Sequence, residues 1–78
     1  MPRFYFNVYD DIIAPDEEGT ELPNEQAARL HALIGVRSLI AEQVKRGYMV
    51  RSHWIDVMDG EGALVMTITF GSAVDIKE

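Results

Sequence analysis

Apolar and polar residues alternate over 3–9, Arg-Phe-Tyr-Phe-Asn-Val-Tyr. In an extended chain Phe4, Phe6 and Val8 fall on one face and Tyr5, Asn7 and Tyr9 on the other, because successive side chains of a strand point in opposite directions. Aromatic and β-branched residues at that period predict a strand. The same period returns over residues 53–58 and from Leu64 to Phe70. In the last of these, Leu64, Met66, Ile68 and Phe70 share one face while Val65, Thr67 and Thr69 share the other. Between the two segments lies Asp59-Gly60-Glu61-Gly62, and Asp-Gly is a strong hairpin signal. Residues 10–18 read as a loop, opened by Asp10-Asp11, broken by Pro15 and closed by the charged turn Asp16-Glu17-Glu18-Gly19. A short strand is expected near Thr20–Leu22, and a further short pairing through Val74 and Ile76 in the tail.

The middle of the chain has a different period. Asn24 is a good N-cap, since its side-chain oxygen can accept an orphan backbone N–H. Glu25 in the first turn and Lys45 and Arg46 in the last complement the helix dipole. Gly47 suits the left-handed position that ends a helix. These signals predict a helix over 24–46. Apolar residues at about 100° per residue then put Ala27, Leu30, Leu33, Ile34, Ile40, Ala41 and Val44 on the side expected to cover the sheet. Arg37 falls within that stripe, and the plainer reading of it is a packed stem with its charged head reaching the sheet edge.

Together these elements predict an α+β fold: a two-layer ββαββ unit in which a three- to four-stranded, mostly antiparallel sheet carries one long helix on one face. Residues 1–78 are read as one domain. The topology turns on Thr20–Leu22. If this segment pairs back on the first strand, the sheet is antiparallel, which is the preferred arrangement. If it does not, a helical crossover makes the strands at 3–9 and 53–58 parallel.

This pattern leaves two surfaces in search of a role. On the helix side expected to face outward, Ala28, Ala32, Gly35 and Leu39 recur at alternating intervals of four and three, a heptad-like spacing. A solvent-facing helix more often carries Lys, Glu and Gln there. The plainer reading is that Ala is simply a good helix former. On the outer face of the sheet, Tyr5, Tyr9, Trp54, Met58, Val65 and Thr67 would project, with Thr69, and aromatics and Met are residues that interfaces concentrate. The plainer reading there is an ordinary exposed antiparallel face.

Composition narrows the function classes. With 47% hydrophobic and 26% charged residues the chain is too apolar to be disordered. Seven basic residues against thirteen acidic ones give a formal charge of −6, a field that repels phosphate, so neither nucleic acid nor an anionic membrane is an expected partner. At 78 residues, and with no cysteine for a disulfide, the core contributes a net stability of only about 3–5 kcal/mol, and small unstapled domains often gain more by oligomerising. No apolar run approaches the ~20 residues of a spanning helix. The start at Met1 and the absence of cysteine fit a cytoplasmic product.

No catalytic constellation stands out. Ser38, Ser52 and Ser72 lack a nucleophile elbow. His31 and His53 lack the i,i+4 partner of a helical metal pair and read as surface and strand-edge residues. Asp16, Glu17 and Glu18 lie in a turn that does not separate the pKa values of neighbouring carboxylates, as acid–base catalysis requires. Asp59-Gly60-Glu61-Gly62 lacks the alternating ligands and distal Glu of a calcium loop. The expectation is therefore no catalytic residue, no cofactor and no metal.

The opening Met1-Pro2-Arg3-Phe4-Tyr5-Phe6, the run from Pro15 to Pro23, Pro-Asp-Glu-Glu-Gly-Thr-Glu-Leu-Pro, and the later Asp56-x-x-Asp59-x-x-Gly62 leading to Leu64, Thr67 and Phe70 resemble a small domain family of unknown function common in rhizobia and related alphaproteobacteria. The resemblance covers nearly the whole chain and departs at 7–12, where the family more often carries a basic or Gly-rich stretch. It implies a small cytoplasmic α+β protein and no activity. It also suggests a role for the acidic run: Gly19 at positive φ, and Glu18 or Glu21 anchoring backbone donors or pairing with Arg3 or Arg51. The functional expectation is a non-enzymatic interaction module that self-associates, most simply as a dimer, or binds another protein. The alternative is a small-ligand or sensory domain with a pocket between helix and sheet, near Arg37 or beside Trp54.

Overall fold

The computed structural model describes residues 1–75 and 77. Its elements run β1 (Arg3–Tyr9), β2 (Ile13–Ala14), β3 (Thr20–Glu21), α1 (Glu25–Lys45), β4 (Trp54–Met58) and β5 (Leu64–Thr69), with a turn of 3₁₀ helix over Phe70–Ser72. The protein is α+β, one helix on an open antiparallel sheet of order β2-β1-β4-β5, with β3 pairing to β1 as well. The preferred antiparallel topology holds. β3 returns along β1 with Arg3 opposite Glu21 and Phe4 opposite Thr20, so the chain re-enters at the starting end and β4 runs antiparallel to β1.

The expected loop over 10–18 is partly strand, because Ile13–Ala14 pairs with Val8 and Tyr9. β2 and β3 are thus two short pieces of one irregular edge strand, interrupted by residues 15–19 where Pro15 has no N–H to donate. β5 runs into the 3₁₀ turn, whose Thr69 side chain accepts from the Ser72 N–H; of the two residues of the expected tail pairing, Val74 lies in a bend and Ile76 lies outside the described residues.

The helix is bounded as its caps predict. The Asn24 side chain accepts from the Ala27 N–H at 2.8 Å, and Gly47 follows the last turn at φ +91°. Its rotation is not as expected. Ala28, Ala32, Val36, Ile40 and Gln43 are buried, whereas Leu30, Ile34 and Val44 are 58%, 58% and 59% exposed. Of the seven residues assigned to the inner stripe, only Ile40 is buried, with Ala27 and Leu33 half-buried. Ala28 and Ala32, assigned outward, lie fully inside, and Leu39 packs against the core from its margin.

Two physical facts set this rotation. The sheet presents Phe4, Val57, Ile68 and Phe70 to the helix, and close packing over such bulk favours small residues opposite it. Gln43 adds a polar staple: its Oε1 accepts from the Val50 N–H at 3.1 Å and its Nε2 donates to His53 Nδ1 at 3.0 Å, so its position must face the β4 entry.

The β4–β5 hairpin carries a second correction. A bulge between Val57 and Met58 places Leu64, not Val65, opposite Met58. An extra residue inverts the alternation beyond it. Leu64, expected in the core, is therefore 58% exposed, and Val65, expected on the outer face, packs against the core. The Asp59 side chain fixes the turn by accepting from the Glu61 and Ala63 N–H groups, both at 2.9 Å.

Candidate functional site

The acidic run is a built structural device. The Asp16 carboxylate accepts from the N–H of Phe6 at 3.1 Å, of Glu18 at 3.2 Å and of Gly19 at 3.0 Å, while the Asp16 N–H donates to Asn7 Oδ1 at 2.9 Å. Phe6 lies between the β1–β2 and β1–β3 pairings, so its N–H would lack a ladder partner; Asp16 supplies one where the edge strand is interrupted. Burial acts to raise the Asp16 carboxyl. The three backbone donors, with His31 nearby, outweigh it and hold the group below its ordinary value of 3.8.

Gly19 takes φ +72°, and a Cβ there would lie 2.8 Å from Arg3 Cγ, 2.9 Å from the Phe4 carbonyl oxygen and 2.9 Å from Tyr5 Cε2. Arg3 Nη1 donates to the Glu18 carbonyl at 2.8 Å, and its Nη2 sits 3.4 Å from Glu21 Oε1. The positive φ of Gly19 and the Arg3–Glu21 pair are as the resemblance implies. The anchor of the backbone donors is Asp16, not Glu18 or Glu21. The signal for it in the sequence is an Asp three residues before a glycine, a spacing that suits an Asx-turn.

A second cluster ties the β1–β2 turn to the helix exit. The Tyr48 hydroxyl donates to Asp11 Oδ2 at 2.7 Å, a bond that raises the Tyr48 pKa, and His53 Nε2 lies 3.9 Å from Asp11 Oδ1. His31 is exposed, its ring 4.6 Å from that of Phe6. Among the described residues no three His, Cys, Asp or Glu side chains gather as metal ligands.

The outer sheet face brings Tyr5, Tyr9, Trp54 and Met58 together, as Tyr5 opposite Met58 and Tyr9 opposite Trp54. Of these side chains, Tyr9 and Trp54 cover each other. The Tyr9 and Trp54 rings stack at 4.8 Å and 13°, all four residues are half-buried, and Thr67 donates to Asp56 Oδ1 at 2.7 Å in the row between. Of the sheet-face candidates, Val65 turns to the core. Of the helix candidates, Ala28 and Ala32 are inside, and Gly35 with Leu39 edges a groove of about 290 Å³ floored by Phe6, Val8 and Ile55. Arg37 donates from Nε to the Ala73 carbonyl at 2.9 Å, beside an open cleft of about 520 Å³ that also holds Asp75 and Lys77.

Besides Ile12 and Ile13 in the β1–β2 turn, 74% and 68% exposed, an extended apolar surface left in water is one the sequence placed inside. Leu30, Ile34 and Val44, with Ala27 and Ala41, form an apolar line along the side of α1 turned away from the sheet. α1 is therefore apolar on two faces, and the fold uses one.

The structure thus defines a small α+β domain with an open antiparallel sheet and a doubly apolar helix. Residues 3–71 match the model of a domain of unknown function, DUF6894, and the chain belongs to that family. No curated protein and no solved structure matches it.

Proposed function

We propose that this protein is a non-enzymatic interaction module that self-associates through the outward face of α1. The observation that carries this reading is the exposure of Leu30, Ile34 and Val44, each close to 60% in a single copy. Full burial of one such side chain is worth about 1.5–3 kcal/mol, so three left mostly wet represent a stabilisation comparable with the domain's own ~3–5 kcal/mol. Solvent-facing helix positions ordinarily hold Lys, Glu or Gln. The outer sheet face, where Tyr9 and Trp54 already stack on each other and all four candidates are half-buried, is the weaker candidate.

Sedimentation equilibrium over a broad concentration range tests the reading. The wild type is expected to move from monomer towards dimer as concentration rises. Ile34→Glu, an exposed helix position, is expected to remain folded by circular dichroism and to stay monomeric. A wild type that is monomeric at every concentration refutes the proposal.

The groove between α1 and β1 supports a second reading, a binding domain for a small apolar ligand. Its ~290 Å³ is at the lower edge of ligand pockets. Thermal-shift screening against fatty and aromatic acids is the test, and no stabilisation by any of them removes this reading.

A further inference from the structure

We infer, resting on the self-association reading above, that two copies pair with their α1 helices antiparallel, the two-fold axis level with the Gly35–Val36 peptide. The outward residues Ala27, Leu30, Ile34, Arg37, Ala41 and Val44 recur at alternating intervals of three and four, the spacing of a helix–helix seam. Reversing the seam about its midpoint sets Ala27 against Val44 of the second copy, Leu30 against Ala41, and Ile34 against Arg37. In the two outer layers each larger side chain meets an alanine, the large-against-small complementarity that interdigitated packing needs.

A parallel pairing sets every residue against itself. It leaves voids at the Ala27 and Ala41 layers and places Arg37 against Arg37 in one layer. In the antiparallel pairing the Arg37 stem covers Ile34 of the second copy. Its guanidinium is already drawn aside to the Ala73 carbonyl and shares a cleft with Asp75.

Charge does little to oppose the contact, since Arg37 is the one charged residue on the seam itself. Although the chain carries −6, residues 25–45 hold three basic residues (Arg29, Arg37, Lys45) against two acidic ones (Glu25, Glu42), so α1 escapes the repulsion that the acidic loop imposes elsewhere. The contact is also self-matching, as a closed two-fold interface requires. The line from Ala27 to Val44 is about 26 Å long at ~1.5 Å per residue. One helix face of that length falls short of the ~800 Å² per partner of a standard interface, so the association is weak and rises with concentration.

The chain has no cysteine, which makes disulfide trapping clean. Ala27→Cys and Val44→Cys are made as separate full-length variants of different tag mass, checked for unchanged circular dichroism, mixed in equal amounts at high concentration and mildly oxidised. The expected result is a mixed disulfide joining one variant to the other, at least tenfold more abundant than either homodisulfide. Excess homodisulfide, or the twofold excess of mixed species that random collision produces, overturns the antiparallel register. If the wild type sediments as a dimer in that case, self-association stands and only the geometry falls. If the wild type is monomeric and nothing is trapped, both fall.

Discussion

Asp16→Ala removes the one acceptor shared by three backbone N–H groups. The Phe6 and Gly19 donors are part-buried and the Glu18 donor is exposed, so water replaces the carboxylate fully only at Glu18. An orphaned part-buried donor costs about 1–3 kcal/mol, and two at the low end of that range give ~2–3 kcal/mol for the variant. That approaches the whole ~3–5 kcal/mol available to a core of this size. At roughly 4–8 °C per kcal/mol, the melting temperature falls by about 10–20 °C. Asp16→Asn keeps one carbonyl acceptor and is expected to lose about half as much.

The carboxyl also titrates. Because it is held below 3.8 when folded, its contribution is complete above the unfolded value and is lost as pH falls through the lower folded value. Denaturant melts at pH 6 and pH 3 read this directly. The wild type is expected to lose more stability than Asp16→Asn across that interval, the difference isolating Asp16 from the other carboxylates. A melting-temperature loss under 3 °C for Asp16→Ala, or identical acid losses in wild type and Asp16→Asn, refutes the role assigned to this side chain.

Gly19→Ala combines a left-handed φ with a Cβ inside 3.0 Å of three atoms, one of them the Phe4 carbonyl of β1. Strain of about 1–2 kcal/mol from the backbone alone, plus the steric conflict, predicts a melting temperature lower by at least 5 °C, and an unchanged value contradicts the loop geometry. Gly35→Ala has the opposite sign. Its Cβ would meet Ile55 Cδ1 at an ordinary 3.9 Å, and the loss of a mid-helix glycine is worth up to about 1 kcal/mol, so thermal melts should show stabilisation. A destabilised Gly35→Ala would mean that α1 lies closer to β4 than the structure places it.

Local rules written in neighbouring residues determined most of the fold. Asn24, Glu25 and Gly47 bound α1 because capping is settled within one turn, and the alternation in 3–9, 54–58 and 64–69 specified strands because the period of two is a property of the extended backbone itself. The Pro15–Gly19 segment could be read as a turn, but not as Asp16 completing the β1 ladder, since Phe6 comes within reach only after the chain doubles back. Two outcomes belonged to tertiary structure alone. The bulge beside Met58 exchanged the roles of Leu64 and Val65, because a single extra residue reverses every face beyond it. The rotation of α1 could not be chosen from a helix apolar on both sides. The aromatic bulk of the sheet and the Gln43 staple drew Ala28, Ala32 and Val36 inward, and so turned Leu30, Ile34 and Val44 out towards water.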